Sequence, residues 1–302
     1  MTIMEALQWA NNKLKKAGVD SPMLDAEIIL ANILEVPKSW LFAHFADELK
    51  THHEERFNLL ISRRLKHEPI AYIIQKKPFY GRDFFVDASV LIPRPATETL
   101  IQEALSHFKS IDPELTIITD TGTGSGAIAV TLAKETGSPV IATDIDEEAL
   151  IIAKQNIKTH GVEKQVDVQH GNLLEPITKL FNTIRSSGNP NVSSIYPFKH
   201  LVICANLPYL STNQMDTLQK DARYEPVRAL VSGVDGLDAY WALFRQIKQH
   251  RALLPRHVQI FIEIDPEQTK RALTMIKHNF PESNPVVIKD LQNHDRIIST
   301  EL

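Results

Sequence analysis

The order of apolar and polar positions divides the chain into a helical first quarter and an alternating remainder. Within the first 75 residues, apolar side chains recur every three or four positions, which is the spacing of an amphipathic helix. Leu7, Ala10 and Leu14 form one such series, and Gly18 is placed to end that helix. The pattern predicts four helices in this region, over residues 7–17, 23–34, 40–45 and 52–66.

A proline-containing stretch over residues 69–95 interrupts the helical pattern. Its segment PFYGRDFFV, residues 78–86, predicts a β-hairpin that turns near Gly81. The following IPRP is expected to be extended, because each proline restricts the residue before it, and a helix is predicted over 97–109. The predicted organisation is a helical domain over 1–75, a hairpin and linker over 76–96, and a larger domain over 97–302.

From residue 115 onward, short β-rich runs alternate with helical patterns. Such alternation is typical of a doubly wound, mostly parallel sheet, which is an α/β fold. The last two β-rich runs are separated only by a short polar turn and are predicted to pair as an antiparallel hairpin, which makes the sheet seven-stranded. Residues 186–191 (SSGNPN) are predicted to form a surface loop. The predicted strands are 117–119, 139–142, 165–169, 201–204, 258–264, 286–291 and 297–300, and the helices are 127–135, 147–159, 237–254 and 266–278.

Composition and charge exclude several classes of protein. The single cysteine, Cys204, excludes a disulfide framework and a cysteine-based metal site. The net charge of −4 leaves no excess of basic residues to build a nucleic-acid-binding face. No apolar run reaches the length of a membrane span, and the first residues lack the charge order of a signal peptide. We therefore expect a cytoplasmic protein with no membrane attachment and no stable nucleic-acid partner.

The predicted N-terminal domain is nearly neutral, with nine Lys/Arg and ten Asp/Glu in residues 1–75. A small neutral helical module is better suited to contact with another protein than to contact with nucleic acid.

A glycine-rich loop and an acidic residue indicate a cofactor site. The segment DTGTGSG, residues 120–126, follows a predicted strand and precedes a helix, so its backbone N–H groups can approach a ligand closely. Asp144 ends the next predicted strand, where a carboxylate can accept hydrogen bonds from both hydroxyls of a ribose. The alternatives are a bare tight turn and a helix N-cap at Asp144, and the glycines also fit a relaxed dinucleotide pattern. Together the two features indicate a nucleoside-containing cofactor without specifying which one.

The tetrapeptide Asn206-Leu207-Pro208-Tyr209 follows a predicted central strand, at the edge where such sheets bind ligands. Pro208 forces Leu207 into an extended conformation that turns its carbonyl outward. That carbonyl and Asn206 Oδ1 then form two hydrogen-bond acceptors, which suit an –NH2 group. Tyr209 offers a flat face for a planar amide or base. A simple strand-end turn is the alternative interpretation.

These motifs together resemble the S-adenosylmethionine (SAM)-dependent methyltransferases that modify exocyclic or amide nitrogens. HEPIAYI (67–73), LIPRPATE (91–98) and DARYEPVRAL (221–230), behind a helical N-terminal domain, narrow the resemblance to the HemK/PrmC family. That family methylates the glutamine of the Gly-Gly-Gln motif in peptide chain release factors. The resemblance runs from about Pro22 to the C-terminus.

The resemblance implies a Rossmann-like SAM methyltransferase, with SAM as the cofactor and the release factor as the protein substrate. It implies a monomer without a metal ion, in which the N-terminal domain docks the substrate. The tetrapeptide Asn206, Leu207, Pro208 and Tyr209 would align the glutamine amide. The residues implied to bind SAM are Gly122, Thr123, Gly124, Ser125, Gly126 and Asp144, with Asn172 and Leu173 facing the adenine and Asn206 bordering the cofactor.

Two departures from the family pattern keep alternatives open. Leu207 replaces the first proline of the usual Asn-Pro-Pro-Tyr, and Asn-Leu-Pro-Tyr is also typical of rRNA adenine dimethyltransferases. Asn172 stands where an aspartate is common. The alternative functions are an adenine N6-methyltransferase acting on rRNA or DNA and a non-catalytic SAM-binding protein.

Overall fold

Helices form most of the first of two units in the computed structural model, which describes residues 1–186 and 198–302. The first unit comprises Met1–Lys76, Val86–Ala88 and Leu218–Tyr224. The second comprises Lys77–Phe85, Ser89–Thr217 and Glu225–Leu302. Of the loop predicted over 186–191, Ser186 ends a helix and the other five residues lie outside the described ranges.

The four predicted N-terminal helices are confirmed, with shifted ends. Thr2 begins the first of them with a capping box, in which its hydroxyl accepts from Glu5 N and its own N–H donates to the Glu5 carboxylate. The core contains fully buried Leu14, Leu30 and Phe57. A short fifth helix after Pro69 was not predicted. The helices are α1 Ile3–Lys16, α2 Pro22–Leu34, α3 Lys38–Ala43, α4 Thr51–Arg64 and α5 Ile70–Ile73.

A segment from far along the chain completes the first unit. Arg64 in α4 donates to Asp25 Oδ2 at 2.7 Å and lies 2.8 Å from Asp221 Oδ2, and the Tyr224 hydroxyl donates to the Lys66 carbonyl at 2.7 Å. Arg64 and Asp25 are both buried. Burial raises the pKa of Asp25, and the hydrogen bond and charge of Arg64 oppose that rise. Because the ion pair offsets the desolvation of each partner, neither residue can be removed alone without cost.

The predicted hairpin is confirmed in the second unit, as β1 Lys77–Phe79 and β2 Arg82–Phe84. Tyr80 and Gly81 form its two-residue turn with φ of 48° and 72°. Two positive φ angles are what a type I′ turn requires, and this turn matches the twist of a hairpin.

The predicted fold class is confirmed by a seven-stranded sheet in the order β5-β4-β3-β6-β7-β9-β8. Strands β3 to β7 are parallel, and β8 and β9 form the antiparallel edge. The chain proceeds from β3 toward β4 and later from β6 toward β7, so the order reverses between β3 and β6. Open α/β sheets bind ligands at such a point. The strands are β3 Thr116–Thr121, β4 Val140–Asp144, β5 Val166–His170, β6 His200–Ala205, β7 His257–Glu263, β8 Val286–Lys289 and β9 Asp295–Glu301.

Helices cover the sheet, and all six residues of β3 are buried. The predicted helices are confirmed, although the one predicted over 237–254 ends at His250. Helix α9 was not predicted, although its apolar residues Ile177, Leu180 and Phe181 lie at helical spacing and pack in the core. None of the helices in the described ranges combines the length and apolar character that a bilayer span requires. The helices of this unit are α6 Thr97–Phe108, α7 Ala127–Thr136, α8 Glu147–Thr159, α9 Glu175–Ser186, α10 Val227–Leu230, α11 Asp238–His250 and α12 Thr269–Asn279.

Candidate active site

A cavity of about 260 Å³ lies at the carboxyl ends of β3, β4 and β6. Its volume is many times that of one water molecule, so it can hold a small organic ligand. Two residues of the predicted site, Gly126 and Tyr209, are not among those that border it. The predicted residues that do border it are Gly122, Thr123, Gly124, Ser125, Asp144, Asn172, Leu173, Asn206, Leu207 and Pro208.

The glycine loop after β3 is tied to the neighbouring strand. Gly122 and Thr123 both donate their N–H groups to the Thr143 carbonyl, at 2.8 and 2.9 Å. Gly122 has φ of 74°, and a Cβ atom there would lie 2.7 Å from Leu207 Cδ2. A side chain at position 122 would therefore be strained by the left-handed φ and would displace Leu207, and glycine avoids both effects.

Asp120 holds this loop in place through hydrogen bonds, a role that the sequence did not indicate. Its Oδ2 accepts from the Thr123 hydroxyl at 2.5 Å and from Ala129 N at 3.0 Å. Its Oδ1 is buried without a hydrogen-bond partner in the described part of the chain. Burial raises the pKa of Asp120 to about 7, and the charge of Asp144 acts in the same direction.

Asp144 lies at the end of β4 and borders the cavity. Its Oδ1 accepts from Asp146 N at 3.0 Å and its Oδ2 from Gly124 N at 2.9 Å. Burial raises the pKa of Asp144, and these two hydrogen bonds oppose the rise. The alternative that Asp144 is a helix N-cap is wrong, because Asp146 caps α8 by accepting from Glu148 N at 3.1 Å.

The segment Asn172–Leu173 follows β5 and borders the same cavity. Leu173 has a left-handed φ of 56°, and its carbonyl accepts from the Thr143 hydroxyl at 3.0 Å. Gln246 in α11 accepts from Leu174 N at 2.9 Å and donates to the Asn172 carbonyl at 3.3 Å. Two polar side chains therefore hold this backbone, and sequence analysis identified neither of them.

Asn206 borders the cavity, and its two polar side-chain atoms differ in their hydrogen bonding. Its Nδ2 donates to the Thr97 hydroxyl at 3.0 Å, whereas its Oδ1 is buried and finds no partner among the described residues. The next residue, Leu207, donates its N–H to the Tyr240 hydroxyl at 3.2 Å, and Tyr240 in turn donates to the Glu263 carbonyl. The backbone of the tetrapeptide is thus fixed while one acceptor stays free.

Tyr209 does not border the cavity that the other three residues border. Its hydroxyl donates to Glu263 Oε1 at 3.3 Å, and its carbonyl accepts from Gln268 Nε2 at 2.6 Å. Burial raises the pKa of Tyr209, as does the adjacent charge of Glu263, so the phenol stays neutral. That its ring packs against a substrate amide stays a prediction.

The conspicuous sequence LIPRPATE proves to be a set of anchors within the second unit. Arg94 pairs with buried Glu225 at 2.5 Å, and Glu225 also accepts from Ile92 N at 3.2 Å. The Thr97 hydroxyl accepts a hydrogen bond from Asn206. The Glu98 carboxylate accepts one from the backbone N–H of Tyr80 in the hairpin, at 2.8 Å. Each polar side chain of the motif therefore holds a different part of the site.

The mouth of the cavity is bordered by an ion pair between Arg228 and Asp146, 2.5 Å apart. Arg228 lies in α10, within the second half of the DARYEPVRAL motif, and its side chain is 59% exposed.

The described residues suit the adenosyl cofactor that the sequence indicates. A loop of glycines with positive φ, a carboxylate at the end of β4 and an apolar lining that includes Ile128 meet in one cavity. Apolar lining with a few fixed polar groups is the usual character of a cofactor site.

Two family models match the chain. The model described as the PrmC N-terminal domain matches residues 5–74. The model of ribosomal protein L11 methyltransferase (PrmA) matches residues 96–184.

Relatives align with the whole chain. A release factor glutamine methyltransferase of Bacillus cereus is 32% identical, and the alignment covers 100% of both chains. The protein of that name from Rhodopirellula baltica is 34% identical, over 99% of this chain and 96% of the relative. A bifunctional methyltransferase of Rickettsia typhi is 34% identical, and this chain spans 57% of its length.

Among solved structures, the hMettl16 catalytic domain in complex with MAT2A 3'UTR hairpin 6 is similar, with a TM-score of 0.52. The two share 13% sequence identity, over 83% of this chain and 81% of the other, so the likeness is one of fold.

Fold, cavity and relatives together define a SAM-dependent methyltransferase of the Rossmann-like class with a helical N-terminal region. Within that class, the chain belongs to the release factor glutamine methyltransferase family, as the full-length relatives show. The family and the cofactor that the sequence motifs indicated are both confirmed.

Proposed function

We propose that this protein transfers the methyl group of SAM to the side-chain amide nitrogen of the glutamine in the Gly-Gly-Gln motif of peptide chain release factors, and so acts in translation termination. The observation that carries the proposal is the buried, unpartnered Oδ1 of Asn206 at the cavity. An acceptor left in that state costs about 1–3 kcal/mol, and the –NH2 group of a bound glutamine would satisfy it.

The reaction depends mainly on alignment of the amide nitrogen with the methyl group. An amide nitrogen is a weak nucleophile because its lone pair is delocalised into the carbonyl, and SAM supplies an activated methyl group when bound. Fixing the two reacting groups can supply roughly 7–11 kcal/mol of barrier reduction. Asn206 Oδ1 and the Leu207 carbonyl would accept the two N–H bonds of the glutamine and direct its lone pair. The same acceptors would stabilise positive charge as it develops on the nitrogen, which would release one proton to water as S-adenosylhomocysteine leaves.

The cofactor would lie between the glycine loop and the two neighbouring strand ends. We infer that Asp144 accepts from the ribose, that residues 122–126 approach the cofactor through their backbone, and that Asn172 and Leu173 border the adenine. The shared cavity supports these roles for the residues that border it.

The release factor would be recognised as a folded protein. The N-terminal unit is the part that we assign to its docking, since the near-neutral charge of residues 1–75 and the PrmC N-terminal match support contact with protein. The enzyme would act in the cytoplasm as a monomer, without a stable nucleic-acid partner or membrane attachment.

Identification of the methyl acceptor tests this function. The protein is incubated with methyl-labelled SAM and with wild-type release factor, its Gly-Gly-Ala variant, rRNA or DNA. Label on the wild-type factor alone is the expected result. Label on nucleic acid with none on the factor would establish the adenine alternative, and binding of SAM without transfer to any acceptor would indicate a non-catalytic protein.

A further inference from the structure

The exposed residues at the border of the cavity show where it opens. Most of the bordering residues are buried or half-buried, whereas Ile145, Asn172 and Arg228 are exposed. Arg228 is also the only cationic side chain at this border in the described part of the chain. A cofactor that enters or leaves through this opening therefore passes Arg228.

An ion pair connects two segments of the rim of this opening. Asp146 lies between β4 and α8, and Arg228 belongs to the short helix α10, far along the chain. Arg228 Nη2 lies 2.5 Å from Asp146 Oδ2, and the aspartate side chain is only 9% exposed. Because both residues also border the cavity, the pair bridges the opening from one segment of the rim to the other.

The backbone on both sides of Arg228 is held in place, so movement at this position is confined to the exposed side chain. Before α10, buried Glu225 accepts from Ile92 N at 3.2 Å. At the end of α10, the Leu230 carbonyl accepts from Leu210 N at 2.8 Å. An exposed side chain changes rotamer within picoseconds to nanoseconds, far faster than a bound ligand dissociates.

We propose that Arg228 and Asp146 form a clasp across the opening, which must part before SAM enters or S-adenosylhomocysteine (SAH) leaves. The inference rests on the proposed function only in assigning the cavity to the cofactor. Because the side chain moves fast, the clasp lowers the rates of entry and exit to the fraction of time that it stands open. It therefore slows the exchange of cofactor while leaving the equilibrium affinity nearly unchanged.

Asp146 has two roles that a single substitution can separate. Its Oδ1 caps α8 by accepting from Glu148 N at 3.1 Å, whereas its Oδ2 faces Arg228. Asp146→Asn keeps an oxygen for the cap, and asparagine caps helices about as well as aspartate does. The same substitution removes the charge that holds the guanidinium. Arg228→Met removes the other charge and keeps a long, unbranched side chain.

Stopped-flow measurement of SAH binding to the full-length protein tests the clasp. We expect Arg228→Met and Asp146→Asn to raise the association and dissociation rate constants together, by about two- to fivefold, which is the effect of losing one exposed ion pair. The Kd for SAH should therefore stay within about twofold of the wild-type value. Arg271→Met, which changes an exposed arginine of α12 that does not border the cavity, is the matched control and should leave both rate constants unchanged.

Salt dependence and the double variant provide two further readouts. SAH carries no net charge at neutral pH, so added salt acts mainly on the ion pair. Raising the ionic strength from about 0.05 to 0.5 M should speed the release of SAH from the wild-type protein, whereas release from Arg228→Met should change little. Arg228→Met combined with Asp146→Asn should release SAH no faster than either single variant.

Two results would overturn the clasp. One is a pair of unchanged rate constants in Arg228→Met. The other is faster release with unchanged association, and hence weaker binding, because that combination indicates direct contact between Arg228 and the cofactor. These measurements use no methyl acceptor, so they hold even if the release factor is not the substrate. Unchanged SAH affinity in Asp144→Ala would instead refute the assignment of the cavity to the cofactor.

Discussion

Asp144 is the residue at which the cofactor assignment can be measured alone. We expect Asp144→Ala to weaken SAM binding by about 1.5–3 kcal/mol, the typical contribution of hydrogen bonds to a charged group. Titration calorimetry on the folded variant gives this value, and Glu147→Ala, an exposed acidic residue of the next helix, is the control. Unchanged affinity for SAM in Asp144→Ala would exclude the ribose contact.

The raised pKa of Asp120 predicts how the stability of the protein depends on pH. Its folded pKa of about 7 lies above the value of about 4 for an unfolded aspartate, so the folded state binds the proton more tightly. The stabilisation of the folded state by protonated Asp120 is complete below pH 4 and is lost as the pH rises toward 7. Asp120→Asn lacks this titration, and its stability relative to wild type should improve from pH 5 to pH 7.5 in urea unfolding. A difference that stays constant over that range would show that Asp120 titrates normally.

Leu207 makes a hydrogen bond that the sequence alone could not reveal. From the sequence, its replacement of proline only suggested a less restricted backbone. In the structure, its N–H donates to the Tyr240 hydroxyl, and a proline has no such donor. The leucine thus adds a hydrogen bond to a buried tyrosine 33 positions further along the chain, a partner that no local motif could indicate.

At the scale of elements, the buried ion pair between α2 and α4 is the sharpest test of the first unit. Arg64→Met leaves the Asp25 carboxylate buried without its cation, which should lower the free energy of unfolding by about 3–5 kcal/mol. Arg63→Met is the matched control. Arg63 is 38% exposed and pairs with Glu68, so its loss should cost about 1 kcal/mol or less. Equal losses measured by urea unfolding would show that burial does not distinguish the two pairs.

Most of the elements could be predicted from a repeating period or an apolar run in the sequence. The buried run of β6 and the four N-terminal helices follow from spacing alone. Helix α9 carries the same signal, since Ile177, Leu180, Phe181 and Ile184 recur at helical spacing, and it was nevertheless missed. The anchors Thr97, Glu225 and Glu263 were also missed, since their partners come from distant segments of the chain.

At the scale of the molecule, docking of the substrate separates the roles of the two units. The full-length enzyme should methylate an intact release factor with a kcat/KM at least about tenfold higher than that for a short Gly-Gly-Gln peptide, a difference of about 1.4 kcal/mol in transition-state binding. Deletion of residues 1–75 should lower the rate with the factor while leaving that with the peptide nearly unchanged.

The structure adds a control to that deletion. Residues 218–224 belong to the first unit, so the truncation also removes the partners of Asp221 and Tyr224. Binding of SAM to the truncated protein, measured by calorimetry, shows whether the second unit remains intact. If the truncated enzyme retains SAM binding and methylates the intact factor as fast as before, the docking role is wrong.

The central claim is that Asn206 Oδ1 is held free to accept from the nitrogen that receives the methyl group. The measurement that tests it most directly is the rate of glutamine methylation by Asn206→Ala, together with the affinity of that variant for SAM. Loss of one pre-organised polar contact typically lowers the rate by about 10²–10³. We predict a fall in kcat of that order with SAM affinity nearly unchanged, whereas a near-wild-type kcat in a folded, SAM-binding variant would contradict the account.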